Sequence, residues 1–527
     1  MIYHCEDHTC NYWDEGEKLP ERCPQCGRKL LRANEADMTG DDWTVLGNTL
    51  SDAEASDKKR MVDCFRKAAY LGSAWGVCNL GICMEQGNGV EADPVQAFWL
   101  YQQAVEMGSL NAVCCLGVCY EYGIGTAPDA KQAAELYCKA AEYGSPCGQM
   151  LLARAFHDGI GVEADAAEAV HWVRAAAYQR YGEGMHRLGE CYAYGDGVEQ
   201  NWEHAVHWFR EAAESGVSVA MTDLGHCYEK GCGVEQSWEQ AFSWYRRGAE
   251  CGDLLSMNNL ACCYERGEGV EQNEDRALYW YRRGAEAGSV HCMFCLGWNY
   301  SNGVGVKQNM TEAIRWYTAA AEGGNAAAMH SLGWHYDHGE GVEQDMKKAI
   351  CWYERAAEQN RPAAMNSLGE CYAMGRGVPR DLETAMEWYR RAAELGEAMA
   401  DYNMGWHLEQ AGKLSEAYAH YRKAADGNDD SAWWALGRFY ENGVVVAQDG
   451  KEARRCYETG EKLGSVKCKM RLARCKLLGI GGRRAKKAGL DLCRQALELA
   501  KESSEKEDYG YEAEMNLLRR TIAENES

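Results

Sequence analysis

Leu224-Gly225-His226-Cys227-Tyr228 begins a phrase that recurs through this 527-residue chain and decides its fold. Most copies are 36 residues apart, and thirteen can be located by their leading apolar residue. So many starts indicate a repeat protein, in which each unit packs mainly against its neighbours. The leading residues are Leu46, Leu80, Leu116, Leu152, Leu188, Leu224, Leu260, Leu296, Leu332, Leu368, Met404, Leu436 and Leu472.

Each copy predicts two helices. Met221, Leu224, Gly225 and Tyr228 follow the spacing i, i+3, i+4, i+7, which places them on one face of a helix, here called helix A. Helix A should end near the glycine turn Gly231-Cys232-Gly233-Val234, and helix B should run from about Trp238 to about Gly252. Because such a hairpin cannot cover its own apolar face, neighbouring hairpins must stack. The prediction is an all-α fold, an α/α superhelical solenoid of about 12–13 helix-turn-helix repeats.

Glycine follows the leading residue in most copies, as in Gly81, Gly225 and Gly333, and alanine replaces it at Ala153, Ala261 and Ala473. A glycine inside a helix costs about 1 kcal/mol relative to alanine, so its recurrence needs a reason. We expect helix B of the same hairpin to cross closely at this point.

Residues 1–32 do not belong to the repeat. Cys5 and Cys10, followed by Cys23-Pro24-Gln25-Cys26, provide two pairs of thiols, and four thiolates suit a tetrahedral structural Zn²⁺. Four residues separate the first pair, where two are usual, so His8 competes as a ligand. Four cysteines without a metal are the plainer alternative.

Two resemblances follow from these motifs. The N-terminal segment, with Tyr12-Trp13 after its second thiol, is similar to small zinc ribbons of the rubredoxin type. The phrases Leu-Gly-x-x-Tyr, Gly-x-Gly-Val, Ala-x-x-Trp-Tyr and Ala-Ala-Glu-x-Gly resemble the Sel1-like repeats, relatives of the tetratricopeptide repeats. This resemblance implies an interaction scaffold, often in bacterial regulation. Cysteine-rich members of the family imply an alternative, an enzyme of the penicillin-binding and hydrolysing type.

The domain prediction has four parts. A zinc ribbon occupies residues 1–32, an acidic linker 33–42, the Sel1-like repeat solenoid 43–500 and a C-terminal capping helix 501–527. The copy at Met404 departs from the pattern because its loop lacks four residues.

Composition limits the functional classes. A formal charge of −24 argues against nucleic acid and against an anionic membrane surface as partners. Neither a secretory signal nor a spanning segment is recognisable, so a cytoplasmic location is expected. Seven of the 26 cysteines share the slot three residues after the leading residue, where Ala155 also occurs, which favours a small packing site in a reduced protein. No catalytic motif was recognised, so we expect no enzyme.

Function should lie where the repeats differ. If helix A lines the concave surface, the exposed offsets from the leading residue are −2, +2, +5 and +6. Between Leu296 and Met404 these offsets carry an unusual set of aromatic, histidine and acidic side chains, while the intervening copy offers Asn366 and Glu370. Such a set predicts a binding site for a protein or peptide, and the acidic surface of the chain favours a partner with basic side chains. The alternative is that the tryptophans form core between A helices. The predicted partner-binding residues are Phe294, Trp298, His330, Trp334, Asp337, His338, Tyr402 and Trp406.

Overall fold

The structure is a computed structural model and describes residues 2–5, 13–15, 30–32, 38–50, 55–506 and 511–526. The chain divides into two compact units, Met1–Asn273 and Glu274–Ser527. Within each unit, A helices pack on the B helices that follow them, and B helices pack on the next A helix. The predicted fold class, a stack of helical hairpins, is confirmed. None of the described helices combines the length and apolar character that crossing a membrane requires.

The first unit begins with a small antiparallel sheet in the strand order β2-β1-β3. Thirteen helices follow it, with A helices at the odd numbers and B helices at the even ones. The elements are β1 Ile2–Cys5, β2 Trp13–Glu15, β3 Leu30–Arg32, α1 Gly40–Thr49, α2 Ala55–Tyr70, α3 Ala74–Gln86, α4 Pro94–Glu106, α5 Leu110–Tyr122, α6 Ala130–Glu142, α7 Pro146–Asp158, α8 Ala166–Tyr178, α9 Gly182–Tyr194, α10 Trp202–Glu214, α11 Ser218–Lys230, α12 Trp238–Glu250 and α13 Leu254–Arg266.

The second unit continues the same alternation, starting with a B helix. Its elements are α14 Glu274–Glu286, α15 Val290–Asn302, α16 Met310–Glu322, α17 Ala326–His338, α18 Met346–Glu358, α19 Pro362–Met374, α20 Leu382–Glu394, α21 Ala398–Gln410, α22 Leu414–Asp426, α23 Asp430–Asn442, α24 Gly450–Lys462, α25 Val466–Leu478, α26 Lys486–Lys506 and α27 Glu512–Glu526.

The glycine turn between α11 and α12 shows why each hairpin turns where it does. Gly231 ends α11 in the left-handed region at φ 73°, and its N–H donates to the Cys227 carbonyl at 2.9 Å. At Gly233 a Cβ atom would lie 2.3 Å from the carbonyl oxygen of Trp202 in the preceding hairpin. The first glycine therefore ends a helix, and the second lets neighbouring hairpins approach.

Val445 occupies the position of that second glycine in the turn after α23, and it has a φ of 66°. A β-branched residue in this region costs roughly 1–2 kcal/mol, and its side chain, 48% exposed, recovers little by packing. We expect Val445→Gly to stabilise the second unit by about 1 kcal/mol after the glycine's extra chain entropy is subtracted. The midpoint of urea unfolding measures this. Val444→Gly is the control, because partly buried Val444 packs on the core and its loss should destabilise.

The glycine after each leading residue lies against an aromatic ring of helix B. A Cβ atom on Gly225 would be 2.6 Å from Cε1 of Tyr245, and the same contact joins Gly333 to Tyr353. Alanine replaces this glycine at Ala153, where helix B carries Val173 instead of a ring, and at Ala261, where helix B still carries the buried ring of Tyr281. The close crossing predicted from the sequence is therefore a contact between glycine and a buried ring.

The hydroxyl of that ring explains the residues at offset +5. Tyr245 donates to Glu229 at 2.7 Å, and the equivalent bonds join Tyr101 to Glu85, Tyr137 to Glu121, Tyr421 to Glu409 and Tyr457 to Glu441. Because a buried hydroxyl without a partner is costly, this carboxylate belongs to the hairpin's interior. The expectation that offset +5 is exposed for a partner was therefore wrong in these repeats.

The slot at offset +3 is a packing site. Its seven cysteines, among them Cys191 and Cys227, are buried free thiols, and burial raises the pKa of Cys227 to about 12. Ala155, His335 and Phe439 are buried in the same slot of other repeats. The slot therefore holds buried residues of different size in different repeats.

Helix α27 packs on α25 and α26 and buries Met515 and Leu518. Arg471 joins it to the stack: its Nε and one terminal nitrogen donate to Glu514 at 2.7 and 2.8 Å, and the other donates to Glu441 at 3.3 Å. Burial lowers the pKa of Arg471, but Glu514, Tyr457 and Glu441 together raise it by more, so the net pKa is higher than usual. A buried ion network thus anchors the last helix.

Candidate protein-binding face

Three indoles at offset +2 lie exposed on A helices of the second unit. Trp298 on α15 is 43% exposed, Trp334 on α17 is 37% exposed and Trp406 on α21 is 43% exposed. These three side chains therefore do not form core between A helices. The main-chain carbonyls of two of these tryptophans accept hydrogen bonds from side chains one turn later in the helix. Asn302 donates to the Trp298 carbonyl and His338 donates to the Trp334 carbonyl, both at 2.9 Å.

Exposed His338 covers one face of an indole. Its ring stacks on Trp334 with a centroid separation of 4.3 Å and an interplanar angle of 22°. The bond to the backbone positions the His338 ring, and the stack on that ring then orders the Trp334 indole. An aromatic side chain that is already ordered loses less entropy when a partner binds.

The residues at offset −2 support the scaffold instead of facing solvent. Phe294, His330 and Tyr402 are partly buried. The centroid of each ring lies within 6 Å of the centroid of a helix-B tyrosine ring. Burial, with a smaller effect of the Arg361 guanidinium, lowers the pKa of His330 to about 4, so its ring is neutral at pH 7. Offset −2 was expected to be exposed, and at these positions it is not.

Asp337 at offset +5 is 4% exposed, so the expectation that it faces solvent was wrong. It accepts a hydrogen bond from Arg376 at 3.0 Å and lies 3.5 Å from the Tyr353 hydroxyl. Its carboxylate occupies the place that glutamate has in other repeats. The physical reason is the same, since the buried tyrosine and arginine need an acceptor.

Glu370 stands at offset +2 between the Trp334 and Trp406 repeats. Asn366 and Asn403 donate to its Oε1 at 3.1 and 3.2 Å, and Arg376 lies 3.7 Å from its Oε2. Burial raises the pKa of Glu370, and the Arg376 charge partly offsets this effect. Asn366, expected at an exposed position, is 6% exposed because it belongs to this network.

The sequence-based prediction did not include one exposed residue of this face. Met374, at offset +6 of α19, is 65% exposed and belongs to the repeat between Trp334 and Trp406. The repeat pattern could have indicated Met374, because His338, which was predicted to bind the partner, occupies the same offset one repeat earlier. We call the exposed set Trp298, Trp334, Met374 and Trp406 the aromatic face.

The aromatic face ends where arginine takes over offset +2. Arg438 donates to Glu409 at 2.9 Å, and Arg474 pairs with Glu441. Both guanidiniums form ion pairs with carboxylates of the scaffold. The two repeats after Trp406 therefore do not continue the face.

The predicted zinc ligands are not part of the described structure. Cys10, Cys23, Cys26 and His8 lie outside the described residues, as does the side chain of Cys5 at the end of β1. Among the side chains that are described, no group of three His, Cys, Asp or Glu could hold a metal ion. The zinc site stays a prediction.

Two solved structures are among those similar to this chain. The crystal structure of a protective antigen from uropathogenic Escherichia coli, displaying an SLR fold, is 30% identical, with 81% of this chain and 90% of that chain covered and a TM-score of 0.58. A Sel1 repeat protein from Oxalobacter formigenes is 27% identical over 61% of this chain and 95% of that chain, with a TM-score of 0.45.

A search of the curated proteins found no match. The family description Sel1 repeat matches eleven segments, residues 76–109, 112–145, 148–181, 182–217, 218–253, 254–289, 290–325, 326–360, 362–397, 398–429 and 432–465. These segments span most of the chain and follow the helical hairpins of both units. The chain belongs to the Sel1 repeat family.

Proposed function

We propose that this protein is a non-enzymatic scaffold that binds a protein or peptide partner on the aromatic face. Stacked Sel1 hairpins are a fold typical of protein-interaction scaffolds, and no catalytic family is indicated. The observation that carries the proposal is the exposure of three indoles at one repeated position of three A helices, α15, α17 and α21. Exposed tryptophans are costly in water, and tryptophan is among the residues that most often dominate binding energy.

The support beneath the aromatic face favours a rigid site. Asp337, Glu370 and Arg376 tie α17 and α19 together, and Asn403 extends the same hydrogen bonds to α21. The indoles are therefore carried by helices whose relative positions are held by buried polar contacts. Such preorganisation lowers the entropy lost on binding.

The proposed partner is a segment with basic and apolar side chains. The chain carries a formal charge of −24, so a basic segment is attracted at long range. Arginine or lysine also binds over an indole face, with about 0.5–2 kcal/mol gained per contact. The predicted zinc ribbon would act as a separate docking or capping module, and a cytoplasmic setting suits its thiols.

Trp298→Ala combined with Trp334→Ala should abolish partner binding while leaving the fold intact. Each exposed indole contributes about 2 kcal/mol or more if it is a hot spot, so the dissociation constant should rise at least 100-fold. The partner is first captured from the native organism with the full chain as bait, then purified and titrated calorimetrically. Thermal melts of the variant check that the scaffold is retained.

Trp99→Ala is the matched control, because Trp99 is an indole 63% exposed on a B helix of the first unit. It should leave the affinity unchanged. Equal loss in both variants, or undiminished binding by the double variant, would refute the aromatic face as the binding site. A large fall in melting temperature would instead assign the two indoles to the stability of the stack.

A further inference from the structure

The α7/α8 hairpin lacks the buried aromatic ring that helix B contributes to the neighbouring hairpins. Elsewhere from α1 to α24 helix B presents tyrosine or phenylalanine at this position, as with Tyr137 and Phe209 in the hairpins on either side. Here the residue is Val173, and Ala153 replaces the glycine on which the ring would rest. The exchange leaves a valine where the periodic pattern places an aromatic side chain.

A cavity of about 530 Å³ lies at this position. Ala153, Val170 and Val173 are buried and line it, together with the partly buried Met150. Its volume is within the range of roughly 300–1,000 Å³ found for small-molecule sites. It also exceeds the roughly 150 Å³ of an engineered apolar cavity that accepts benzene.

The polar lining differs from that of the other hairpins. Offset +5, which in several other hairpins carries the carboxylate that accepts from the tyrosine hydroxyl, is His157, whose ring nitrogens lie 2.7 Å from Asp158 and 3.2 Å from Asp196. Arg187 also binds Asp196 at 3.2 Å. These side chains line the cavity, so donors and acceptors are held in place beside its apolar part.

Arg154 adds a fixed positive charge to the lining. Its terminal nitrogens donate to Glu121 at 2.6 Å and to the Tyr122 hydroxyl at 2.8 Å. Its Nε is buried and has no hydrogen-bond partner among the described residues, although the side chain lines the cavity. Because the Nε has almost no accessible surface, it does not face the cavity, and Arg154 contributes the charge of its guanidinium to the lining.

We propose that the cavity between α7, α8 and α9 binds a small monocyclic aromatic compound that carries an oxygen substituent, such as a phenol. The ring takes the place of the tyrosine ring that Val173 lacks, against Ala153 and Val170. The hydroxyl of a phenol donates to the carboxylate of Asp158 or Asp196, both of which line the cavity. This site lies in the first unit and does not depend on the aromatic face of the second.

The experiment uses p-cresol, which is the side chain of tyrosine, and the full-length chain. Saturation-transfer NMR titration should show binding with a dissociation constant of about 1 mM or tighter, which corresponds to about −4 kcal/mol. Toluene, which has the ring and the methyl group but no oxygen, should bind at least about fivefold more weakly. Equal affinity for the two probes would overturn the polar part of the proposal.

Ala153→Gly combined with Val173→Tyr restores the pair found in other hairpins and places a ring in the part of the cavity next to Val170, where p-cresol is proposed to bind. This variant should keep its helical circular dichroism and bind p-cresol at least tenfold more weakly. Val219→Tyr adds the same side chain at an exposed position of α11, 48% exposed in the parent, and should bind as the parent does. Undiminished binding by the Ala153→Gly/Val173→Tyr variant, or no saturable binding by the parent chain, overturns the proposal.

A second readout covers the case in which the Ala153→Gly/Val173→Tyr variant does not fold. In the parent chain, p-cresol should shift the methyl resonances of Val170 and Val173 and leave those of Val219 in place. Shifts elsewhere with none at Val170 and Val173 would place the ligand outside this cavity and refute the assignment.

Discussion

A chain with Glu441→Ala should lose about 3–5 kcal/mol in the free energy of unfolding its C-terminal helices. Glu441 is 9% exposed and accepts from Tyr457 at 2.7 Å, from Arg471 at 3.3 Å and from Arg474. Removing the carboxylate leaves two largely buried guanidiniums with one acceptor fewer and the tyrosine hydroxyl with none. Helix α27 also depends on Arg471, because that residue joins it to the stack.

Hydrogen exchange is the suitable measurement, since terminal repeats open locally before the whole chain unfolds. Amides of α25 and α27 should lose protection in the variant, whereas those of α3 to α11 should not. Glu458→Ala is the control: Glu458 pairs with Arg454 at 2.9 Å, but its side chain is 43% exposed, so its loss should cost less than about 1 kcal/mol. Equal protection of α27 in the two variants would show that the buried network does not hold the last helix.

Gly225→Leu should destabilise the first unit by about 2–3 kcal/mol. In an open helical position this exchange would stabilise, because leucine exceeds glycine in helix propensity by about 0.8 kcal/mol. Here a Cβ atom would lie 2.6 and 2.7 Å from two ring carbons of Tyr245, and the buried ring is also held by its bond to Glu229. The clash with the Tyr245 ring therefore outweighs the gain in helix propensity, and the substitution is expected to destabilise.

His226→Leu is the control for this prediction. His226 is the next residue on α11 and is exposed, so its replacement should shift the melting temperature little. Far-ultraviolet melts compare the two variants. A melt of Gly225→Leu that coincides with the parent would contradict the contact between glycine and ring, whereas partial recovery on adding Tyr245→Val would support it through a double-mutant cycle.

The architecture followed from local patterns. The 36-residue period, the helical spacing of Leu224 and Tyr228, and the glycine turn at Gly231 predicted hairpins whose observed bounds, Ser218–Lys230 and Trp238–Glu250, match closely. These features depend on residues near one another in the chain, where helix propensity and capping act. The need for a small residue at Gly225 was also predicted, but its contact was not.

The candidate site was predicted less completely. Offset +2 was expected to be exposed and carries Trp298, Trp334 and Trp406, whereas Asp337 at offset +5 and Asn366 at offset −2 turned out to be buried. A helical pattern states which residues share a face, but the edge of a buried stripe depends on what packs against it. For Asp337 that edge is set by Arg376 of the following repeat.

The sequence by itself determined the repeat, the two helices of each hairpin and the positions where only a small residue fits. Only the tertiary structure showed which of the variable positions contact other helices, which line a cavity and which are exposed. Glu229 is a partner of Tyr245, sixteen residues away on another helix, and the pairing of Val173 with Ala153 leaves a cavity. Both facts arise where two helices cross, because the ring, the hydroxyl and the space between them belong to the packed pair and to neither helix alone.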